Sequence, residues 1–124
     1  MDGNPSAVYW LTDPMERDLV KLVLIRAGFD PISCYDLEDI QKAIRSSKPG
    51  LIIMDIVLPG ENGLEVTRTI KETHKRASPL IILVSALAFP EVVAQVREAG
   101  ADDFIVKPID GNLLFDRVRN LIKK

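Results

Sequence analysis

Leu51-Ile52-Ile53-Met54-Asp55-Ile56-Val57-Leu58-Pro59-Gly60 is an apolar run that ends on a single carboxylate and then turns. Apolar residues in unbroken succession, rather than in alternation, mark a strand covered on both faces, the usual state of a strand inside a parallel sheet. Asp55 then stands at the carboxyl end of that strand, where open α/β sheets bind and react. Two later runs end in the same way. Leu80-Ile81-Ile82-Leu83-Val84 leads to Ser85, and Phe104-Ile105-Val106 leads to Lys107 and Pro108. A carboxylate, a hydroxyl and an ammonium brought to one rim suit the placing of a phosphoryl group on the carboxylate, with the other two groups holding its oxygens.

Outward from this run, strand and helix patterns alternate. Val8 to Leu11 is β-prone, and Pro14 to Ala27 carries Leu19, Leu22, Val23 and Ile25 before Gly28 closes it. Pro31 to Ser33 is a weak strand. Asp36 then opens a helix marked by Leu37, Ile40, Ala43 and Ile44 that stops before Pro49. Helices around Leu64 to Thr73, around Glu91 to Ala99, and through Leu114, Val118, Leu121 and Ile122 follow the remaining strands. Repeated strand–helix units with short connections and right-handed crossovers imply a flavodoxin-like (βα)5 α/β domain. Its five parallel strands are expected in the order 2-1-3-4-5, with helices on both faces. Met1 to Ala7 read as a flexible leader, with the domain spanning residues 8–124.

The 124 residues, 47% hydrophobic and 27% charged, give room for one domain with a core and none for a second. A net charge of -2 and a pI near 5.4 argue against direct nucleic-acid binding. Cys34 is alone and cannot form an internal disulfide, and no signal, transit or long apolar segment stands out. The expectation is a soluble cytoplasmic protein with no membrane partner. Cys34 reads as a small buried hydrophobe, His74 as a solvated loop residue, and Arg117, Arg119, Lys123 and Lys124 as a solvated helix face.

The stretch Lys48 to Val66, then Leu83-Val84-Ser85-Ala86, then Glu98-Ala99-Gly100-Ala101-Asp102-Asp103-Phe104-Ile105-Val106-Lys107-Pro108, resembles the CheY-like receiver domain of two-component response regulators. The likeness runs in order and register from about Val8 to Leu121. It implies that Asp55 is the phosphoacceptor, taking a phosphoryl group from a sensor histidine kinase or phosphotransfer protein in a self-catalysed signalling reaction rather than an enzymatic turnover. By the same resemblance Ser85 and Lys107 bind the phosphoryl group, Phe104 reports the state of the hydroxyl, and Lys107–Pro108 is cis. Mg²⁺ is the expected cofactor, held by Asp13, Asp55 and the backbone carbonyl of Val57. Val57 and Leu87 are the positions that set the lifetime of the phosphate; both are apolar here, so a long-lived phosphorylated state is expected. Output domains or downstream proteins dock on the face of the fourth helix, fifth strand and fifth helix; monomer and homodimer both remain open. Taken singly, Asp55 could merely cap a turn and Lys107 could snorkel, but the flanking motifs outweigh both readings.

One departure matters. Receivers carry two adjacent acids after the first strand, and here the segment is Trp10-Leu11-Thr12-Asp13-Pro14. Counted without a gap the pair falls on Leu11 and Thr12; with a one-residue deletion it falls on Thr12 and Asp13. Asp13 also suits the N-cap of the next helix, with Pro14 at its first position and Glu16 placed to close a capping box. Weakened Mg²⁺ binding is the consequence. The alternative is a degenerate pseudo-receiver acting as a phosphorylation-independent interaction module. A flavodoxin is disfavoured by the absence of glycine from Leu11 to Glu16, and an aspartate phosphatase by Val57 where a general acid belongs.

Overall fold

The computed structural model describes residues 3–123. Strands β1 (Ser6–Trp10), β2 (Asp30–Ser33) and β3 (Leu51–Asp55) and helices α1 (Pro14–Arg26) and α2 (Leu37–Ser47) form the first half. A short hairpin, β4 (Val57–Leu58) and β5 (Glu61–Asn62), then leads into α3 (Gly63–His74). The second half holds β6 (Leu80–Ser85), α4 (Pro90–Ala99), β7 (Asp103–Val106) and α5 (Gly111–Ile122). The main sheet is parallel throughout in the order β2-β1-β3-β6-β7, the doubly wound order expected.

All five residues of β3 are buried because the sheet is covered on both sides. Leu51 and Ile53 join Ala7, Tyr9, Ile82 and Val84 against Val20, Leu24, Leu114 and Val118 of α1 and α5. Ile52 and Met54 join Val8, Trp10, Ile81 and Leu83 against Ile40, Val66, Ile70 and Val96 of α2, α3 and α4. Each such aliphatic side chain contributes about 1.5–3 kcal/mol on full burial, so the central strand anchors the residue at its end. Caps fix the helix starts: Asp36 Oδ1 accepts from the Asp39 N–H at 2.8 Å, and Asp110 Oδ1 from the Asn112 and Leu113 N–H groups at 2.9 and 3.1 Å.

The leader expected over Met1 to Ala7 ends earlier than its residue types suggest. β1 begins at Ser6, Ala7 is fully buried, the Pro5 carbonyl accepts from the Asp30 N–H at 2.8 Å and the Ser6 carbonyl from the Gly50 N–H at 2.9 Å. Small residues read as leader because they carry no periodicity, yet a buried strand start between two neighbours needs only backbone groups and a small side chain. Met1, Asp2 and Lys124 lie outside the described residues. His74 likewise belongs to the last turn of α3 rather than to a loop. Cys34 is 1% exposed; burial first, then the nearby Asp39 carboxylate, pushes its thiol up to about 12.

Gly63 opens α3 at the closest backbone approach to the β3 end. A Cβ there would overlap the Asp55 carbonyl oxygen and lie 2.9 Å from Ile56 Cα, while the Gly63 N–H donates to the Ile56 carbonyl at 2.7 Å. Only backbone could yield. Gly63→Ala is therefore expected to cost about 3 kcal/mol, the upper end for overpacking, read as a lowered urea midpoint; an unchanged midpoint contradicts this packing.

Candidate functional site

The register of the parallel strands sets the site. β3 pairs with β6 and β6 with β7, so Asp55, Ser85 and Lys107 emerge from adjacent strand ends, and the Lys107 N–H donates to the Ser85 carbonyl at 2.9 Å. All three line one small cavity of about 140 Å³, with exposed Val57 and Leu87 beside them. Asp55 is only 2% exposed. Its Oδ2 accepts from the Thr12 N–H at 3.0 Å and the Thr12 hydroxyl at 3.2 Å. Its Oδ1 lies 2.9 Å from Lys107 Nζ in a salt bridge. Ser85 Oγ accepts from the Leu87 N–H at 3.0 Å, and the Lys107–Pro108 bond is cis.

Lys107 is shared. Its Nζ lies 2.9 Å from Glu16 Oε1 as well, so one ammonium bridges two carboxylates. Glu16 therefore does not close a capping box on α1. An ammonium offers its carboxylate more than a backbone N–H can. Burial works against the Lys107 charge, but the contacts with Asp55 and Glu16 outweigh it and hold its pKa above the ordinary lysine value.

Asp13 points elsewhere. It is exposed, and its Oδ1 accepts from the Met15 and Glu16 N–H groups at 2.8 and 3.4 Å, capping α1. Phe104 is half-buried in the packing of the α2–α4 face and does not line the cavity. Arg17, which the sequence patterns do not single out, is 9% exposed and ties the ends of β1 and β2 together. Its Nη1 donates to the carbonyls of Leu11 at 2.8 Å and Cys34 at 3.0 Å, its Nη2 meets Ser33 Oγ, and the guanidinium stacks on the rings of Tyr35 and Tyr9. This clamp supports the turn that carries Thr12. One signal for it exists: Arg17 falls on the same helix face as Val20 and Leu24.

A parallel sheet in this order, with carboxylate, hydroxyl and ammonium gathered at adjacent strand ends, defines a doubly wound α/β domain with its polar groups at one rim. The chain belongs to the response regulator receiver domain family, whose pattern matches residues 12–119, and is thus a receiver of two-component signal transduction. It is 35% identical over 120 residues to the transcriptional regulatory protein AfsQ1 of Streptomyces coelicolor, covering 97% of this chain and 52% of that protein. It is 31% identical to the DNA-binding response regulator MtrA of Mycolicibacterium smegmatis, covering 90% of this chain and 48% of that one. The chain spans about half the length of these relatives. Among solved structures, a response regulator receiver protein from Pseudomonas putida superposes with a TM-score of 0.82 at 28% identity, over 97% of this chain and 99% of that one.

The residues present do not fit the divalent cation that the family resemblance implies. Asp13 turns Oδ1 to the helix cap, Glu16 Oε1 is held by Lys107, and Asp55 Oδ2 faces two donor hydrogens of Thr12. Among the described residues no three His, Cys, Asp or Glu side chains are gathered as a metal site.

The shared ammonium has a pH signature. Because the folded pKa of Lys107 lies above its unfolded value, its stabilisation is complete below about pH 10.4 and is lost as pH rises through the folded pKa. Urea unfolding between neutral and strongly alkaline pH should show this loss in the native sequence and a shallower loss in Glu16→Gln. Equal alkaline slopes contradict the bridge.

Proposed function

We propose that the chain is a phosphorylation switch in which Asp55 accepts a phosphoryl group from the phosphohistidine of a sensor kinase or phosphotransfer protein. The observation that carries this reading is the shared cavity of Asp55, Ser85 and Lys107, with the buried carboxylate 2.9 Å from the ammonium. A carboxylate oxygen of Asp55 attacks phosphorus as the donor's P–N bond breaks, and the imidazole nitrogen leaves with the electron pair. The product is an acyl phosphate on Asp55. Lys107 follows the charge from the carboxylate onto the transferred oxygens, as a compact cation on a flexible stem can. Ser85 Oγ is fixed by the Leu87 N–H, which leaves the hydroxyl proton to donate to a phosphoryl oxygen.

The new contacts then bias the packing of the β6–α4 connection, and the signal passes along the face of α4, β7 and α5. Since the chain spans about half of relatives named as transcriptional or DNA-binding regulators, an output segment that acts on DNA is the partner this reading assigns to that face. The apolar Val57 and Leu87 beside the cavity cannot orient an attacking water, so the acyl phosphate is long-lived.

Incubation with phosphoramidate in Mg²⁺-containing buffer, followed by intact mass, tests the assignment. One phosphoryl adduct is expected, none in Asp55→Asn, and incorporation about a hundredfold slower in Lys107→Met, the usual cost of losing one donor to a developing oxyanion. No incorporation in the native sequence would leave the phosphorylation-independent interaction module as the reading. Decay of the adduct within seconds contradicts the long lifetime.

A further inference from the structure

We infer that transfer to Asp55 needs no divalent cation in this chain, because Thr12 occupies the oxygen a cation would bind and Lys107, held in place by Glu16, supplies the positive charge. This rests on the phosphoacceptor reading of Asp55 and concerns how that carboxylate is prepared.

The two oxygens of Asp55 have different partners. Oδ2 takes both the N–H and the hydroxyl of Thr12, at 3.0 and 3.2 Å, while Oδ1 meets the Lys107 ammonium at 2.9 Å. The hydrogen bonds from Thr12 fix the plane of the carboxylate, and the ammonium fixes its other oxygen.

A cation approaching Oδ2 would meet the protons of two donors. The backbone N–H of Thr12 belongs to the turn after β1, a turn pinned by the Arg17 clamp on the Leu11 carbonyl, and cannot rotate away as a free side chain could. Mg²⁺ demands near-octahedral oxygen ligands and sheds water reluctantly. The acids at hand do not answer that demand, since Asp13 Oδ1 caps α1 and Glu16 Oε1 pairs with Lys107 at 2.9 Å. The charges of Asp55, Glu16 and Lys107 leave one net negative charge at the site. Glu16 is thus a positioning residue, trading part of the ammonium's field for a fixed location within reach of Oδ1. Thr12 is a positioning residue for Oδ2.

The experiment compares phosphoramidate labelling of Asp55 in EDTA and in millimolar Mg²⁺. The two rates should agree within about threefold, whereas chemistry that leans on a metal's several kcal/mol would lose about a hundredfold or more in EDTA. A second readout is independent of labelling: Mg²⁺ titration followed by Trp10 fluorescence should give no saturable change in the native sequence and a saturable one in Thr12→Asp, which exchanges the donor for a carboxylate. Thr12→Val should slow labelling about tenfold in EDTA and in Mg²⁺ alike, as loss of one hydrogen bond to a charged group does. Labelling of the native chain only when Mg²⁺ is present overturns the inference while leaving the phosphoacceptor reading intact, as does a saturable Mg²⁺ response of the native chain. Absence of labelling in both buffers overturns both. Should Thr12→Asp fail to fold, the native comparison alone decides.

Discussion

An ammonium group held between two carboxylates is the constraint around which this molecule is arranged. Asp55 is nearly excluded from water, and an ionised carboxylate in such a place is costly unless a cation and hydrogen-bond donors compensate it. Lys107 provides the charge and Thr12 the donors. Neither could arrive without the fold: Lys107 follows β7, Thr12 follows β1, and Asp55 ends the strand that separates β1 from β6. The parallel sheet is thus a device that brings three distant segments to one rim with their backbone positions fixed by ladder hydrogen bonds.

The same arrangement makes the site poised rather than passive. The Asp55 carboxylate is paired with an ammonium on a flexible stem, and Ser85 Oγ is anchored through its lone pair with the proton still to give. Both groups can take new partners without breaking the scaffold. Glu16 holds the ammonium from a second side, and Gly63 lets α3 start against the Asp55 carbonyl, so the carboxylate is held from its backbone as well as from its tip.

What can be read in the sequence depends on how local each signal is. β3 is legible because an unbroken apolar run of this length ending in Asp55 fits a strand covered on both faces and little else, and the parallel order follows from the alternation of elements. The rim residues are legible because they sit directly after such runs. Glu16 reads as a capping-box acid because that pattern is visible within four residues, whereas its actual partner, Lys107, lies at the far end of the chain. Thr12 reads as an absent acid, since the direction of a backbone N–H toward Asp55 leaves no trace in residue types. The β4–β5 hairpin is two residues on a side and too short for any periodicity. Ser6 and Ala7 pass for leader because small residues carry no pattern of their own.

A double-mutant cycle on Asp55→Asn and Lys107→Met, read as unfolding free energy at neutral pH and low salt, tests the central pairing most directly. The two substitutions should be non-additive by about 1 kcal/mol or more, within the range for residues sharing one charge network. Additive effects would mean that Lys107 does not hold Asp55, and the proposed phosphoryl site would lose its basis.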